Sequence, residues 1–201
     1  MHFGPRAVFA TIWGAWVASW LVAAFWSART QRRAGTSTEL SYRVLLGAGV
    51  VLMVPWVARR LGAVPLWNPG VAGSYLLAAA AAAGLVFTWW ARIHLGRLWS
   101  GAITRKENHR IVDSGPYGLV RHPIYTGLIA AIVASALAEA TMAALAGAAL
   151  IVLSFWVKAR AEERFLSDEL GADAYEAYRR RVPMLVPLLR RRQRDTLSGP
   201  T

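Results

Sequence analysis

Two short stretches of this sequence carry most of its chemically versatile side chains. The first is Ser114 to Gly127, SGPYGLVRHPIYTG, where Tyr, Arg and His crowd among Gly and Pro. Gly115-Pro116 is a turn signal. Pro123 suits the first position of a helix, which leaves His122 near the N-cap. A helix start offers free N–H groups and partial positive charge, a fit for a carboxylate or another anion. The spacing predicts Arg121, His122 and Tyr125 together at that end. The second stretch is Lys158 to Pro187. Arg160, Glu162 and Glu163 follow within about two turns of the last apolar residue, Val157. Carboxylates that close to hydrocarbon are unfavourable unless paired or hydrated. Each stretch also has a plain reading: an interfacial anchor for the first, surface salt bridging for the second.

Several other chemistries are excluded. There is no cysteine, hence no disulfide and no Cys-ligated zinc or iron–sulfur site. The four histidines, His2, His94, His109 and His122, lack metal-ligand spacing. No GxGxxG follows a strand, and no P-loop, HExxH or GxSxG occurs. A nucleotide-like cofactor would therefore bind without a Rossmann domain.

The elements that position the two stretches read as membrane helices. Of the 201 residues 56% are hydrophobic, and the charges are absent from long runs. Ala7 to Trp26 is 20 uncharged residues, ~30 Å of helix and the thickness of a hydrocarbon core. Val44–Ala58, containing Pro55, and the Ala-rich Val71–Ala91 are two further runs. Pro123–Val157 holds one charge, Glu139. A single helix there would reach ~50 Å, too long for one crossing, and would bury a carboxylate at its centre. A hairpin of Pro123–Ala138 and Thr141–Val157, with Glu139 at the turn, resolves both problems. The reading is an all-α integral membrane protein with about five spans.

Charge placement agrees with five. Ser27–Arg43, Arg92–Arg121 and Lys158–Thr201 then share one side and hold 20 of the 23 basic residues. The positive-inside rule puts that side in the cytoplasm and the N-terminus outside. The short, Arg- and Ala-rich chain reads as bacterial, so the membrane expected is a bacterial inner membrane. The +12 net charge is thus assigned to topology and anionic lipid, not to nucleic acid. Trp13, Trp16 and Trp20, at helical spacing, are read as helix-packing residues. The small-residue pairs Ala79–Ala83 and Ala143–Gly147 allow close helix crossings. Phe165, Leu166 and Leu170, then Tyr175, Tyr178 and Val182, give an amphipathic helix interrupted at Gly171 that could lie along the membrane, with Arg179–Arg181 at headgroups. Three regions follow: 1–91 as three N-terminal spans, 92–187 as the core, and 188–201 as a basic disordered tail. The hairpin also brings His122 and Glu162, 40 residues apart, back to one cytoplasmic face.

These residues carry a resemblance. RHPIYTG (Arg121–Gly127), preceded by SGPY (Ser114–Tyr117) and followed by a hydrophobic hairpin and AEERF (Ala161–Phe165), resembles the isoprenylcysteine carboxyl methyltransferase family, relatives of the phospholipid N-methyltransferases. YEAYRRRVPMLVP (Tyr175–Pro187) is similar to the family's closing segment, and HLGRLWSG (His94–Gly101) to the stretch before the motif in bacterial members. The resemblance covers about Ile93 to Pro187. It implies a membrane methyltransferase that uses S-adenosylmethionine and takes a lipid-like or apolar small acceptor from the bilayer, with no metal. Carried over by position, it implies a cofactor site lined by Tyr117, Val120, His122, Pro123 and Tyr125 from one arm and by Glu162 and Glu163 from the other. Arg121, Arg160 and Glu163 are the implied catalytic positions. The acceptor atom expected is the oxygen of a prenylcysteine-like carboxylate, with a phospholipid or other amine as the alternative. Two rivals are an NADPH-dependent membrane reductase of the sterol type and a non-enzymatic transporter or scaffold.

Overall fold

The structure is a computed structural model and describes residues 4–25, 30–33, 36–99, 104–106, 111–170 and 172–187. Its helices in chain order are α1 (Pro5–Ala24), α2 (Thr36–Met53), α3 (Pro55–Arg60), α4 (Gly70–Leu95), α5 (Pro116–Leu119), α6 (Pro123–Glu139), α7 (Met142–Leu170) and α8 (Ala172–Arg181). Three segments, Pro5–Ala24, Gly70–Leu98 and Met142–Asp168, are long and apolar enough to cross a bilayer, and Pro123–Glu139 is a shorter apolar helix. The chain is an integral membrane protein. The predicted all-α class holds apart from one short antiparallel ladder, β1 (Thr30–Arg33) with β2 (Thr104–Lys106). The predicted basic tail, 188–201, and the break at Gly171 lie outside the described residues.

Prolines set the boundaries. Pro5, Pro55, Pro116 and Pro123 each occupy the first turn of their helix, where the missing N–H costs nothing. Pro55 also divides the second predicted span: Val54 turns extended before it, so α2 ends and α3 begins. α2 itself starts earlier than the uncharged run, at Thr36, and Glu39 pairs with Arg43 one turn on at 2.7 Å.

α1 is apolar all round and buries no residue completely, as a lipid-facing helix does. Its tryptophans nevertheless fix it to the bundle. Trp13 Nε1 donates to Ser135 Oγ at 3.0 Å and Trp16 Nε1 to Thr88 Oγ1 at 2.8 Å. Trp16 and Trp20 stack, with centroids 4.7 Å apart. The stripe is a packing device, as predicted, with the indole N–H groups of Trp13 and Trp16 satisfied.

The close crossings differ from those predicted. Ala79 and Ala83 are exposed; the backbones of α4 and α6 meet instead at Gly84 and Gly127. α2 and α7 meet at Gly49 and Gly147, so one residue of the second predicted pair is used. A methyl group leaves the axes further apart than hydrogen does, and the tightest approach goes to glycine. Ser154 Oγ adds a hydrogen bond to the Tyr42 carbonyl at 2.7 Å across the α2–α7 seam.

α6 ends at Ala140, whose φ of 54° lies in the left-handed region and turns the chain into α7. α7 runs 29 residues, ~43 Å, well beyond the predicted end at Val157. Its last turns carry Glu162 and Glu163 as a rigid continuation of the apolar helix. α8 was expected to lay its apolar face on the membrane. Tyr175, Tyr178 and Val182 are instead buried against Ile111 and Leu166, because protein supplies a closer apolar surface there.

Candidate active site

His122 occupies the N-cap of α6 with φ −123° and ψ 63°, and its side chain does not cap the helix. The imidazole is left to face α7. Gly115, at φ 56°, provides the turn into α5; a Cβ there would strike the His94 ring at 2.7 Å. Val120 and Pro123 are completely buried and fix the segment between them.

A strap from beyond α8 lies along this segment. Arg121 N–H donates to the Pro183 carbonyl at 2.9 Å and His122 N–H to the Met184 carbonyl at 3.1 Å. Thr126 Oγ1 donates to the Leu185 carbonyl at 2.8 Å. The Arg121 guanidinium also donates to the carbonyls of Arg179 and Val182, covering the end of α8.

α7 supplies the counter-charges. Arg121 Nε donates to Glu163 Oε1 at 2.8 Å, and His122 Nε2 lies 3.1 Å from the same oxygen. A carboxylate only accepts, so that bond places a proton on Nε2. Arg179 Nε approaches Glu163 Oε2 at 3.7 Å. Glu162 accepts from Tyr125 Oη at 2.7 Å, with His122 Nδ1 at 3.6 Å and Lys158 Nζ at 3.9 Å. The Glu163 side chain is 5% exposed and that of Glu162 17%, so Glu162 is the more accessible carboxylate.

Aromatic rings form the other wall. His122 stacks on Tyr125 at 5.4 Å, and Tyr125 on Phe155 at 5.1 Å. Lys158 Nζ sits 5.4 Å from the Tyr42 and Tyr125 ring centroids. Tyr117 is one layer away, packed with Ala91 and Ile124 and facing the His94 ring. Its carbonyl accepts from Tyr178 Oη at 2.8 Å. Burial pushes the phenols of Tyr117, Tyr175 and Tyr178 up, so all three are neutral donors at physiological pH.

Arg121, His122, Tyr125, Glu162 and Glu163 therefore converge, with Val120 and Pro123 as buried supports and Tyr117 adjoining. Arg160 does not join them. It is exposed on another face of α7, with its guanidinium 5.1 Å above the Trp156 ring. Arg179, expected among headgroups, approaches Glu163. Lys158, Thr126, Phe155 and the strap carbonyls were not singled out in the sequence. Lys158 had a signal, since it precedes Glu162 by one helical turn. The strap's segment, within Tyr175–Pro187, was marked by the resemblance alone, and its hydrogen bonds had no signal, because they come from backbone carbonyls. Among the described residues no three His, Asp or Glu side chains gather as a metal site.

Comparison with known proteins finds relatives over the same part of the chain. Residues 76–168 match the isoprenylcysteine carboxyl methyltransferase (ICMT) family. A cobalt-zinc-cadmium resistance protein, CzcN, from Cupriavidus metallidurans is 33% identical over 97 residues, 47% of this chain and 44% of that protein. Methanethiol S-methyltransferase 2 from Bradyrhizobium diazoefficiens is 42% identical over 87 residues, 42% of this chain and 32% of that protein. The protein-S-isoprenylcysteine O-methyltransferase of Schizosaccharomyces pombe is 29% identical over 102 residues, 49% of this chain and 43% of that protein. The matches thus span less than half the length of each relative. The motif residues gather at one end of α6 and α7, and the segment that runs through both, residues 76–168, is similar to the isoprenylcysteine carboxyl methyltransferase family.

Proposed function

We propose that the chain is an integral-membrane methyltransferase that binds S-adenosylmethionine between the start of α6 and the end of α7. The observation that carries this reading is the meeting of Arg121, His122 and Tyr125 with Glu162 and Glu163 across separations of 37 to 42 residues. The donor set fits the group. Glu162, the more exposed carboxylate, suits the ammonium or the ribose hydroxyls. Arg121 and the first turn of α6 suit the carboxylate. The His122–Tyr125–Phe155 stack offers ring faces to adenine or to a sulfonium.

S-adenosylmethionine, when bound, supplies an electrophilic methyl group. The chain's part is to hold donor and acceptor in line and to exclude water. Glu163 holds Arg121 and His122 in position, and the strap closes the site from the cytoplasmic side. A carboxylate acceptor, with a reference pKa near ~3.5, is already ionised and needs no base. An amine, near ~10, would need one, and His122 or Glu162 is placed for it.

The acceptor is proposed to be lipid-like, with a prenylcysteine-like carboxylate as its reacting group. The name of the fission yeast relative supports a carboxylate oxygen; that of the Bradyrhizobium relative supports sulfur as the second reading. Its apolar part would enter from the bilayer along a groove of about 460 Å³ between α6 and α7, walled by Val133, Leu145, Val152 and Trp156. The membrane arrangement we infer is five crossings, the last two a hairpin, with 1–91 as three spans, 92–187 as the core and the site in the cytoplasm. The chain has no native cysteine, so single cysteines report topology directly. Leu61→Cys should react with an impermeant maleimide on intact cells, and Asp168→Cys only after permeabilisation. The reverse pattern would invert the orientation.

Isothermal titration of the detergent-solubilised protein with S-adenosylmethionine and its demethylated product tests the function. Saturable micromolar binding is expected. Glu162→Gln and His122→Ala should each weaken it about tenfold or more, the size of one charge-assisted contact. Arg160→Ala should leave it unchanged, since Arg160 faces elsewhere. No binding in folded protein, in detergent and again in lipid nanodiscs, sinks the proposal.

A further inference from the structure

A second cavity, of about 490 Å³, opens at the opposite end of α6, between the start of α1, the loop before α4 and the turn into α7. α6 has 17 residues, ~25 Å, so this cavity lies nearly a hydrocarbon thickness from His122. Two ionisable side chains line it, Arg6 and Glu139. Among the described residues neither makes a hydrogen bond or an ion pair, with the other or with any third group. Glu139 is half-buried and Arg6 is exposed at the cavity's rim.

Neighbouring donors pass the Glu139 carboxylate by. Leu66 N–H donates to the Ala140 carbonyl at 2.6 Å, and the Trp67 indole N–H to the Leu137 carbonyl at 3.2 Å. With the bridge between Pro65 and Thr141, these bonds tie the loop to the end of α6 and hold the cavity's walls. Both signs of charge line it. Arg6 and the starts of α1 and α4, whose helix dipoles add partial positive charge, contribute one sign. The Glu139 carboxylate and the C-terminal end of α6, which is partially negative, contribute the other. Opposite charges that line one cavity and pair neither with each other nor with any other described residue present a complement to a dipolar ligand.

We propose that this cavity binds the headgroup of a zwitterionic phospholipid in the leaflet opposite the candidate active site. The phosphate would face Arg6 and the helix starts, and the ammonium would face Glu139. Phe9 and Trp67 give the cavity an apolar margin, and the lipid-facing surface of α1 continues from it for the acyl chains. A phosphoglycerol lipid satisfies Arg6 but sets no cation against Glu139. The site is separate from the methyl-transfer reading and depends only on the chain's being in a bilayer.

The test is lipid retention in native mass spectrometry, with protein loaded in equal phosphatidylethanolamine and phosphatidylglycerol of matched chains. The wild type should retain the ethanolamine lipid about fivefold more, the size of one partly solvated charge pair. Glu139→Gln should bring the ratio near one, and Arg6→Gln should reduce retention of both lipids. Equal retention by the wild type overturns the proposal, and so does a preference that survives Glu139→Gln. Soluble glycerophosphoethanolamine that raises the melting temperature as much as the lipid does would assign the cavity to a water-soluble ligand and overturn the lipid. Melting curves check that each variant is folded; if one is not, the wild-type ratio decides.

Discussion

Glu163→Ala is expected to lower S-adenosylmethionine affinity about 100-fold and the melting temperature by about 10 °C. The first figure is the loss of a charge-assisted network that orients two binding groups, ~2.7 kcal/mol. The second follows from what the substitution leaves behind. Arg121 and His122 have side chains 8% exposed, and Glu163 is the carboxylate both of them touch at hydrogen-bond distance. Removing one partner of a buried charge cluster costs ~3–5 kcal/mol, because the remaining charge is neither solvated nor paired. In a chain of this size each kcal/mol shifts the midpoint by ~2–4 °C. Arg121 also holds the carbonyls of Arg179 and Val182, so the strap should loosen with it. Glu163→Gln keeps the volume and one acceptor, and should fall between wild type and alanine on both scales. Melting in detergent and titration on the same preparation check this. A wild-type melting curve for the alanine variant would remove Glu163 from the centre of the site.

Gly127→Ala is expected to damage the same site from below, although it places no atom among the polar groups. A Cβ at Gly127 would meet the Gly84 carbonyl, Thr88 Cγ2 at 2.8 Å and Thr88 N at 3.1 Å. The reciprocal change, Gly84→Ala, would press on the Gly127 carbonyl at 2.6 Å. Two of the Gly127 neighbours are backbone atoms, so relief requires the helix axes to part. Overpacking of this kind costs ~1–3 kcal/mol. Gly127 follows Tyr125 by two residues, and a shifted α6 start would misplace His122 and Tyr125 against Glu162 and Glu163. A displacement near 1 Å can cost ~100-fold in rate where positioning is the main contribution. The expected pattern is a melting temperature lower by about 5 °C with a methyl-transfer rate down by one to two orders of magnitude. Gly14→Ala, on the lipid face of α1 with nothing within 4 Å, should change neither, and serves as the control. Equal rates for Gly127→Ala and Gly14→Ala would dismiss the close crossing as a determinant.

What the sequence determined by itself is largely what local chemistry dictates. Runs without charge exclude themselves from water, so the two long apolar helices Pro5–Ala24 and Gly70–Leu98 were legible by length, while the third, Met142–Asp168, was expected to stop at Val157. Pro55 and Pro123 marked helix starts because proline fixes φ and lacks a donor. RHPIYTG and the Glu pair were legible as a pattern, since dense polar side chains beside hydrocarbon need a reason. The tertiary structure decided which face of each helix those residues occupy. Glu163 and Arg160 lie three positions apart, yet one turns inward to Arg121 and His122 while the other lies over Trp156. That choice depends on the rotation of α7 about its own axis. The rotation is set by the Gly49–Gly147 crossing with α2 and by Ser154 on the Tyr42 carbonyl, contacts about 100 residues apart in the chain. The pairing of the strap was illegible for a related reason: its hydrogen bonds go to the carbonyls of Pro183, Met184 and Leu185, groups that every residue possesses. Side-chain chemistry can be read along a chain, but helix rotation and backbone pairing exist only once distant segments are packed together.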